Sequence, residues 1–375
     1  MDRSIYHTRI DALRRMMACS DRSGPDTVWI IQPENRRYLS GFQAGDMQLT
    51  ESSGSLLIND ARCLLVTDSR YTSEAEKEAA DFEIQTLPQG VIDGFPGLLS
   101  LMETRTLGFE KDYLTWGLHE QLSDRLQSLL PPVVLTPLNG FVEQMRVIKD
   151  DTEIKALASS ADLASAILGQ IISGLKPGLT EKQVAWQIED LSREAGADGL
   201  AFPSIVASGP NSALPHAVPT ERKLREKEPI ILDMGVRLGG YCSDMTRTVF
   251  LGDPDVDLKE IYRTVREAQI KALGEIRPGV ESNHLDSIAR KVIHDAGFGK
   301  FFGHALGHGV GLATHEQPRL GPLKPTKLKK GMVVTVEPGI YIPDKGGVRL
   351  EEMVIVEENG PRILTRDRHF YDFTS

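Results

Sequence analysis

Cysteine is scarce: the 375-residue sequence has three, Cys19, Cys63 and Cys242, and no two of them form a Cys-x-x-Cys pair. We therefore expect neither a disulfide framework nor a cysteine-based zinc site. Long apolar runs are also lacking, since none approaches the ~20 residues that span a membrane. The N-terminus has no signal-peptide core, because Asp2 and Asp11 interrupt it. These absences predict a cytoplasmic protein without membrane attachment.

Basic residues are outnumbered as well: 43 Lys and Arg against 53 Asp and Glu give a net charge of −10. This balance argues against a nucleic-acid partner, because phosphate binding needs clustered Lys and Arg. The apolar share of 40% is that of a globular protein that buries a core. The chain is longer than one core usually supports, so we expect two domains.

Residues 1 to about 140 alternate short apolar runs with helical patterns. The apolar runs predict strands over 28–31, 55–58, 63–67, 82–87, 106–109 and 133–135. Helices are predicted near 73–80, 91–102 and 114–130, and at the N-terminus, with Ile10, Leu13 and Met17 on one stripe. This alternation predicts an α/β domain. A long helix from about 152 to 175 then opens a second domain, so we place the domains at 1–140 and 141–375.

The second half contains an internal echo. LKPGLTEKQV at 175–184 and IRPGVESNHL at 276–285 are separated by 101 residues, and AGAD and AGFG follow them at the same offset. Each copy predicts a helix end, a Pro-Gly turn, a second helix and a closing glycine. The echo favours two related α+β halves with a site at their interface. The alternative is that the same helix-turn-helix sequence pattern occurs twice by chance.

Two predicted hairpins carry paired carboxylates. If the first turns between Leu238 and Gly239, Asp233 and Asp244 face each other with Cβ atoms roughly 5 Å apart. In the second, Glu337 and Glu351 lie opposite each other about a turn at 343–347. Like charges placed opposite cost stability, so a divalent cation or a shared proton must compensate. An aspartate at a frayed edge is the alternative for the first pair.

Histidines add to these carboxylates. His304, His308 and His315 fall within a glycine-rich segment, which favours strand and loop over a zinc-binding helix. His216 lies in a Gly/Pro/Asn/Ser loop and suits proton transfer or oxyanion stabilisation, although an ordinary solvated histidine fits as well. Four carboxylates and an imidazole favour Mn, Fe, Co or Zn. Two bridging carboxylates can hold two such metals roughly 3.5–4 Å apart around one water.

These motifs resemble a known family. LDMG…SDMTRT, GHGVGLATHE, VEPG and GVRLEE are similar to the five-ligand signature of the methionine aminopeptidase/prolidase/aminopeptidase P family, and SGPNSALPHA resembles its catalytic histidine loop. NRRYLSGF (35–42) and LLVTDSRY (64–71) resemble the N-terminal domain of Xaa-Pro peptidases. The resemblance spans the chain. It implies an α/β creatinase-like (ribonuclease H-like) N-terminal domain and an α+β pseudo-symmetric pita-bread catalytic domain.

The resemblance also implies two divalent metal ions, most often Mn or Co, with Zn and Fe as further candidates. Asp233 would chelate one metal. Asp244 and Glu351 would bridge both. His308 and Glu337 would complete the coordination of the other.

Further roles follow from the same resemblance. Glu337 would also accept a proton from the bridging water. His216 and His315 would hold the substrate carbonyl and the tetrahedral intermediate. His304 would aid proton transfer or binding, and Arg349 would pair with the metal-binding carboxylates.

The expected activity is that of an Xaa-Pro aminopeptidase, in which a dimetal-bridged hydroxide cleaves the bond between an N-terminal residue and a following proline. An Xaa-Pro dipeptidase is the alternative, because the same residues serve both. Further interpretations compatible with this fold are a hydrolase of another C–N bond, a lyase and an inactive peptide-binding module. The resemblance implies peptide substrates and a homodimer.

Overall fold

The structure, a computed structural model, describes residues 3–19, 24–46, 48, 51–88 and 90–373. It divides into two compact units, Met1–Arg146 and Val147–Ser375. A division into compact units does not test which segments fold alone. The domain limits of 1–140 and 141–375 therefore stay a prediction.

The first unit is built on a mixed six-stranded sheet. In chain order its elements are α1 (Arg3–Cys19), β1 (Thr27–Ile30), α2 (Pro33–Ser40), β2 (Ser55–Asn59), β3 (Cys63–Thr67), α3 (Thr72–Glu78), β4 (Glu83–Thr86), α4 (Val91–Leu101), β5 (Thr106–Glu110), α5 (Trp116–Gln127), β6 (Val134–Leu138) and α6 (Phe141–Arg146). The strand order is β4-β3-β2-β1-β5-β6. Every predicted strand of this half is present, so the predicted α/β alternation is confirmed.

Burial explains why these segments form strands and helices. The central strands are apolar on both faces, as expected for a sheet covered by helices, and Trp29, Leu57 and Leu64 are buried with Phe95 of α4 in one cluster. On α1, the predicted stripe Ile10, Leu13 and Met17 is buried.

The helices of the second unit confirm the echo. They are α7 (Asp151–Gly174), α8 (Glu181–Glu194), α9 (Val256–Gly274) and α10 (Ser282–Asp295). Gly178 and Gly279, at the 101-residue offset, have φ of +94° and +90°, so the same left-handed turn precedes both second helices. A capping box formed by Thr180 and Gln183 starts α8.

By length and composition, helix α7 could cross a membrane. Its N-terminus is a capping box made by Asp150 and Glu153. Its apolar stripe, which includes Leu157, Ala164 and Leu168, is buried within the second unit. It is therefore the core helix of this unit, since a capped helix with one buried stripe is amphipathic.

The strands of the second unit repeat one arrangement. They are β7 (Gly199–Leu200), β8 (Ile205–Ser208), β9 (Pro229–Met234), β10 (Val236–Leu238), β11 (Tyr241–Cys242), β12 (Met245–Phe250), β13 (Gly307–Gly309), β14 (Glu316–Leu320), β15 (Val333–Val336), β16 (Gly339–Ile342), β17 (Gly346–Arg349), β18 (Glu352–Glu357) and β19 (Gly360–Ile363). The antiparallel order β8-β9-β12 in the first half recurs as β13-β15-β18 in the second. The predicted pseudo-symmetric α+β architecture is confirmed.

Candidate active site and metal centre

The first carboxylate hairpin has a different register from the one predicted. Gly239 and Gly240 form its turn, with φ of +57° and +83°, so β9 Asp233 pairs with Thr246 and not with Asp244. Two residues with positive φ are what a tight two-residue hairpin turn requires. Asp244 lies between β11 and β12, which places the two aspartates diagonally, as neighbours on one face. The prediction of directly opposed aspartates is therefore wrong.

The second carboxylate hairpin has the predicted register. Gly339 pairs with Arg349, and Val336 pairs with Glu352, so Glu337 and Glu351 fall opposite each other. At this point the ladder is interrupted: the Glu337 N–H donates to Leu306 O, and the Glu351 N–H donates to Thr246 O. Each carboxylate thus sits where its backbone changes partner.

The predicted ligands converge on His308. Asp244, His308 and Glu351 each present a ligand atom, and these atoms lie within 4.8 Å of one another. Nε2 of His308 is 3.6 Å from Asp244 Oδ2 and 3.4 Å from Glu337 Oε1. His308 lies on the short strand β13, so the predicted strand-and-loop setting is confirmed. Asp233 is near enough to Asp244, Glu337 and Glu351 to raise the pKa of each.

The His308 ring is oriented for metal binding. Its Nδ1 lies 3.0 Å from the carbonyl oxygen of Gly309, which only accepts, so Nδ1 carries the proton. Its Nε2 lone pair therefore points at the carboxylates. Burial lowers the pKa of His308 to about 4. The imidazole is neutral near pH 7, which is the state that binds a metal ion.

Burial dominates the electrostatics of the acidic side chains. It raises the pKa of Glu351 to about 8, and Asp233 adds to that rise. The pKa values of Asp244 and Glu337 also lie well above their usual range, because of burial and then of the Glu351 charge. Such a cluster stabilises itself either by holding protons or by binding a cation.

Several features fit divalent cations. The Oδ2 atom of Asp233 accepts from Arg349 Nη2 at 2.6 Å, whereas its Oδ1 is buried and has no hydrogen-bond partner among the described residues. A buried oxygen without a partner is costly unless a cation or water binds it. Carboxylate oxygens and one imidazole nitrogen form a donor set suited to Mn, Fe, Co or Zn.

In the metal-free protein, the free energy of unfolding should fall as the pH rises from about 6.5 to about 8. Folded Glu351, with its pKa raised to about 8, keeps a proton that the unfolded chain has lost, so stability is lost as the pH rises through the folded value. The lowered pKa values of His304 and His308 act in the opposite direction only below about 6.5. Denaturant unfolding after chelation measures this slope.

Two controls isolate the cluster in that measurement. Glu110, in the first unit, has a pKa raised to about 7 by burial and adds to the slope below that value. Glu351→Gln keeps the Glu110 contribution and should reduce the rest of the slope, to which the raised pKa values of Asp244 and Glu337 also contribute. With metal bound the slope should reverse, since metal binding releases protons. Metal-free stability that increases across this interval would contradict the assignment.

Arg349 connects the cluster to its surroundings. Besides Asp233, its guanidinium donates to Tyr341 Oη at 2.9 Å, to Pro215 O at 3.0 Å and to Thr246 Oγ1 at 3.2 Å. Its pairing with a carboxylate of the predicted ligand set matches the geometry expected of it. Because a lone buried charge is costly, the buried Arg349 guanidinium needs both its ion pair with Asp233 and these hydrogen bonds.

The three remaining histidines surround the cluster differently. His304 Nδ1 donates to Ala305 O, so its Nε2 accepts the Tyr341 hydroxyl at 2.9 Å. The ring of His315 is exposed and lies 4.3 Å, centroid to centroid, from that of His308. His216 is exposed, and its ring has no hydrogen bond within the part of the chain that the structure describes. The charge of His216 would lower the pKa of both His304 and His315, so the three share one site.

Sequence reasoning missed several residues that hold the ligands. Thr246 donates its hydroxyl proton to Glu351 Oε2 at 2.8 Å. The buried Arg247 donates to Glu351 O at 2.6 Å, to Asp367 Oδ1 at 3.0 Å and to Glu352 Oε1 at 3.2 Å, behind the site. Glu352 is therefore buried and paired with Arg247. Only the alternation of side chains along a strand could have indicated these positions.

A buried ion pair supports the loop of His315. Lys149 Nζ lies 3.1 Å from Glu316 Oε2, with both side chains buried. Glu316 Oε1 accepts the N–H of Ala313. Glu316, which directly follows His315, therefore holds the His315 loop in place. No sequence pattern distinguished Lys149 from the other lysines.

The fold and site together define a metallopeptidase of two domains, and comparison with known proteins gives its family. Residues 155–358 match the model of metallopeptidase family M24, and residues 9–148 match the creatinase/prolidase N-terminal domain. The chain belongs to metallopeptidase family M24. The predicted creatinase-like and pita-bread architecture is confirmed by these matches and by the structural neighbours.

Relatives are similar along their whole length. An Xaa-Pro dipeptidase from Bacillus anthracis is 37% identical, with a TM-score of 0.89 over 97% of this chain and 98% of that one. An Xaa-Pro dipeptidase from Pyrococcus horikoshii is 34% identical over 95% of this chain and 97% of its own. An X-Pro aminopeptidase from Thermotoga maritima is 35% identical, with a TM-score of 0.82 over 94% and 97%.

Proposed function

We propose that this protein is an Xaa-Pro dipeptidase, which hydrolyses free dipeptides with proline second. The observation that carries the proposal is the Asp244–His308–Glu351 group, in which both carboxylates are buried, with further carboxylates and histidines around it. Similarity to two Xaa-Pro dipeptidases over nearly the whole chain supports the dipeptide substrate. The sequence alone favoured the aminopeptidase, and these relatives favour its alternative.

The predicted ligands Asp233, Asp244, His308, Glu337 and Glu351 would hold two divalent ions, for which we propose Mn. Bound ions would supply Lewis acidity at the scissile carbonyl and at the attacking water. Asp233, Asp244 and Glu351 are buried, and His308 and Glu337 are partly buried, so the fields of these charges act in a medium of lower dielectric constant than water.

The other polar groups bind the substrate and move protons. Glu337 accepts the proton of the attacking water at its carboxylate. His216 and His315 are exposed beside the cluster and hold the carbonyl oxygen as negative charge develops on it. Both ring nitrogens of His304 are engaged, so it acts through the Tyr341 hydroxyl, which Arg349 also contacts.

An Xaa-Pro aminopeptidase is the second candidate. The similarity to the Thermotoga maritima X-Pro aminopeptidase, at 35% identity, favours it. The two activities differ in whether chain beyond proline is admitted, while the hydrolytic residues are shared.

A peptide panel separates the candidates. Metal-loaded protein should cleave Xaa-Pro dipeptides and leave Xaa-Pro-Yaa-Zaa peptides intact, with Xaa-Ala dipeptides as the control for proline. Cleavage of the longer peptides alone would transfer the assignment to the aminopeptidase. If the metal-loaded protein cleaves no peptide of the panel, the peptide-binding module is the interpretation that remains. Metal analysis and light scattering of the same sample test the proposed Mn and the proposed homodimer.

A further inference from the structure

Loop 208–220, which runs from the end of β8 to Thr220, carries His216. The His216 ring is exposed and has no hydrogen bond to any described residue. Its position therefore depends on the backbone of its own loop. Whatever fixes the loop fixes the imidazole.

One buried carboxylate joins the two ends of this loop. Glu181 is fully buried at the first position of α8. Its Oε1 accepts from the Ser208 N–H at 2.7 Å and the Ser208 hydroxyl at 2.8 Å. Its Oε2 accepts from Asn211 Nδ2 at 2.8 Å and from the Thr220 hydroxyl and N–H at 2.7 and 3.0 Å. Five donors thus meet on one side chain.

The charge of Glu181 is compensated where it lies. The first turn of a helix favours a negative charge, because its N–H groups are unpaired and the helix dipole is positive there. Arg222 Nη1 donates to the Ser208 hydroxyl oxygen at 2.7 Å, one hydrogen bond away from the carboxylate. A buried carboxylate with every lone pair engaged holds its partners in one geometry.

The centre of the loop rests on the second half of the unit. The Gly347 N–H donates to Ser212 Oγ at 2.8 Å, and a Cβ at Gly347 would lie 2.2 Å from Ser212 O. Arg349 donates to Pro215 O, directly before His216. The centre of the loop is thus held by the second half of the unit, and both of its ends are held by Glu181.

The internal echo indicates that the carboxylate is not a requirement of the fold. The residue 101 positions after Glu181 is Ser282, also the first of its helix and also buried. Ser282 Oγ accepts one N–H, that of Thr326. The half without the His216 loop thus folds with a hydroxyl at this position.

We propose that Glu181 is a positioning residue for the peptidase reaction, which fixes His216 by tying Ser208 and Asn211 to Thr220. The proposal rests on the proposed function, since it assigns His216 a part in turnover. Glu181→Gln keeps the shape and replaces one acceptor oxygen by an NH₂ group that faces donors. One end of the loop is then released.

The test combines hydrogen exchange with a double-mutant cycle. In metal-loaded Glu181→Gln, amide exchange should rise in 208–220 and not elsewhere, and kcat on an Xaa-Pro dipeptide should fall about 10-fold at unchanged metal content. In a His216→Ala background the same substitution should lower kcat no further, because the group it positions is gone. Glu189→Gln, on the exposed face of α8, is the matched control and should change neither quantity.

Other outcomes overturn the proposal. Unchanged exchange in 208–220, loss of bound metal, or an effect that persists in full without His216 would each do so. If Glu181→Gln does not fold, Thr220→Val removes one donor at constant shape and should give a smaller change in the same two measurements. Should the wild type cleave no Xaa-Pro peptide, the proposed function fails, and the exchange comparison still decides whether Glu181 holds the loop.

Discussion

Replacing Glu351 by glutamine should abolish hydrolysis and at the same time stabilise the metal-free protein. Glu351 is one of three residues whose ligand atoms lie within 4.8 Å, and an amide is a poor replacement for a carboxylate that binds cations. We expect kcat/KM to fall by more than ~10³-fold, with less metal bound. Near pH 8, the free energy of unfolding of the metal-free variant should be about 2 kcal/mol higher than that of the metal-free wild type, because its side chain carries no charge to bury.

The two measurements have separate controls. Glu352→Gln changes the adjacent carboxylate, which pairs with Arg247. It should destabilise the metal-free protein, since a buried guanidinium loses a partner. A Glu351→Gln variant that retains full metal and activity would refute the metal site. One that is less stable without metal would refute the electrostatic account of the cluster.

His216→Ala should lower kcat by about 10²-fold or more and leave metal binding unchanged. The ring lies beside the cluster, affects the pKa of His304 and His315, and contacts no ligand by a hydrogen bond. Removing a group that stabilises the developing oxyanion costs turnover and not metal affinity. Kinetics on an Xaa-Pro dipeptide, with metal content measured on the same sample, test this.

His284→Ala is a suitable comparison, because His284 lies on α10, away from the residues described at the site. Its kcat should equal that of the wild type. If His216→Ala keeps wild-type turnover, the loop histidine is an ordinary solvated residue, which is the alternative that the sequence left open. If it loses metal, its role lies in the cluster and not in the reaction.

The comparison of the two hairpins shows what sequence can predict. The register of the second was correct, because its turn residues 343–347 are bounded by clear strand patterns. The register of the first was displaced by two residues. The pair Gly239–Gly240 was the available signal, since a turn with two positive φ values centres on it. The prediction that Asp233 and Asp244 serve one site does not depend on this difference, because a diagonal pair shares a face just as an opposed pair does.

Contacts between distant segments lay beyond the sequence. In the sequence, Glu181 is an acidic residue in the first turn of a helix, where a negative charge is ordinarily favourable. Nothing in the neighbouring sequence indicates that a loop folds over it. Arg247 and Asp367 are similarly unremarkable in sequence, and they meet only when strands distant in the chain pack together. Periodicity predicts which side chains are buried, whereas the partner of a buried charge depends on tertiary structure.

The backing of the metal site by Arg247 has a consequence for biosynthesis. The ribosome makes Asp233 and Asp244 long before Glu351, and the guanidinium that supports Glu351 O also needs Asp367. Until Asp367 is made, Arg247 has only Glu352 as a carboxylate partner, which opposes closure of the core around it. We therefore expect the site to assemble only after Asp367 has been made.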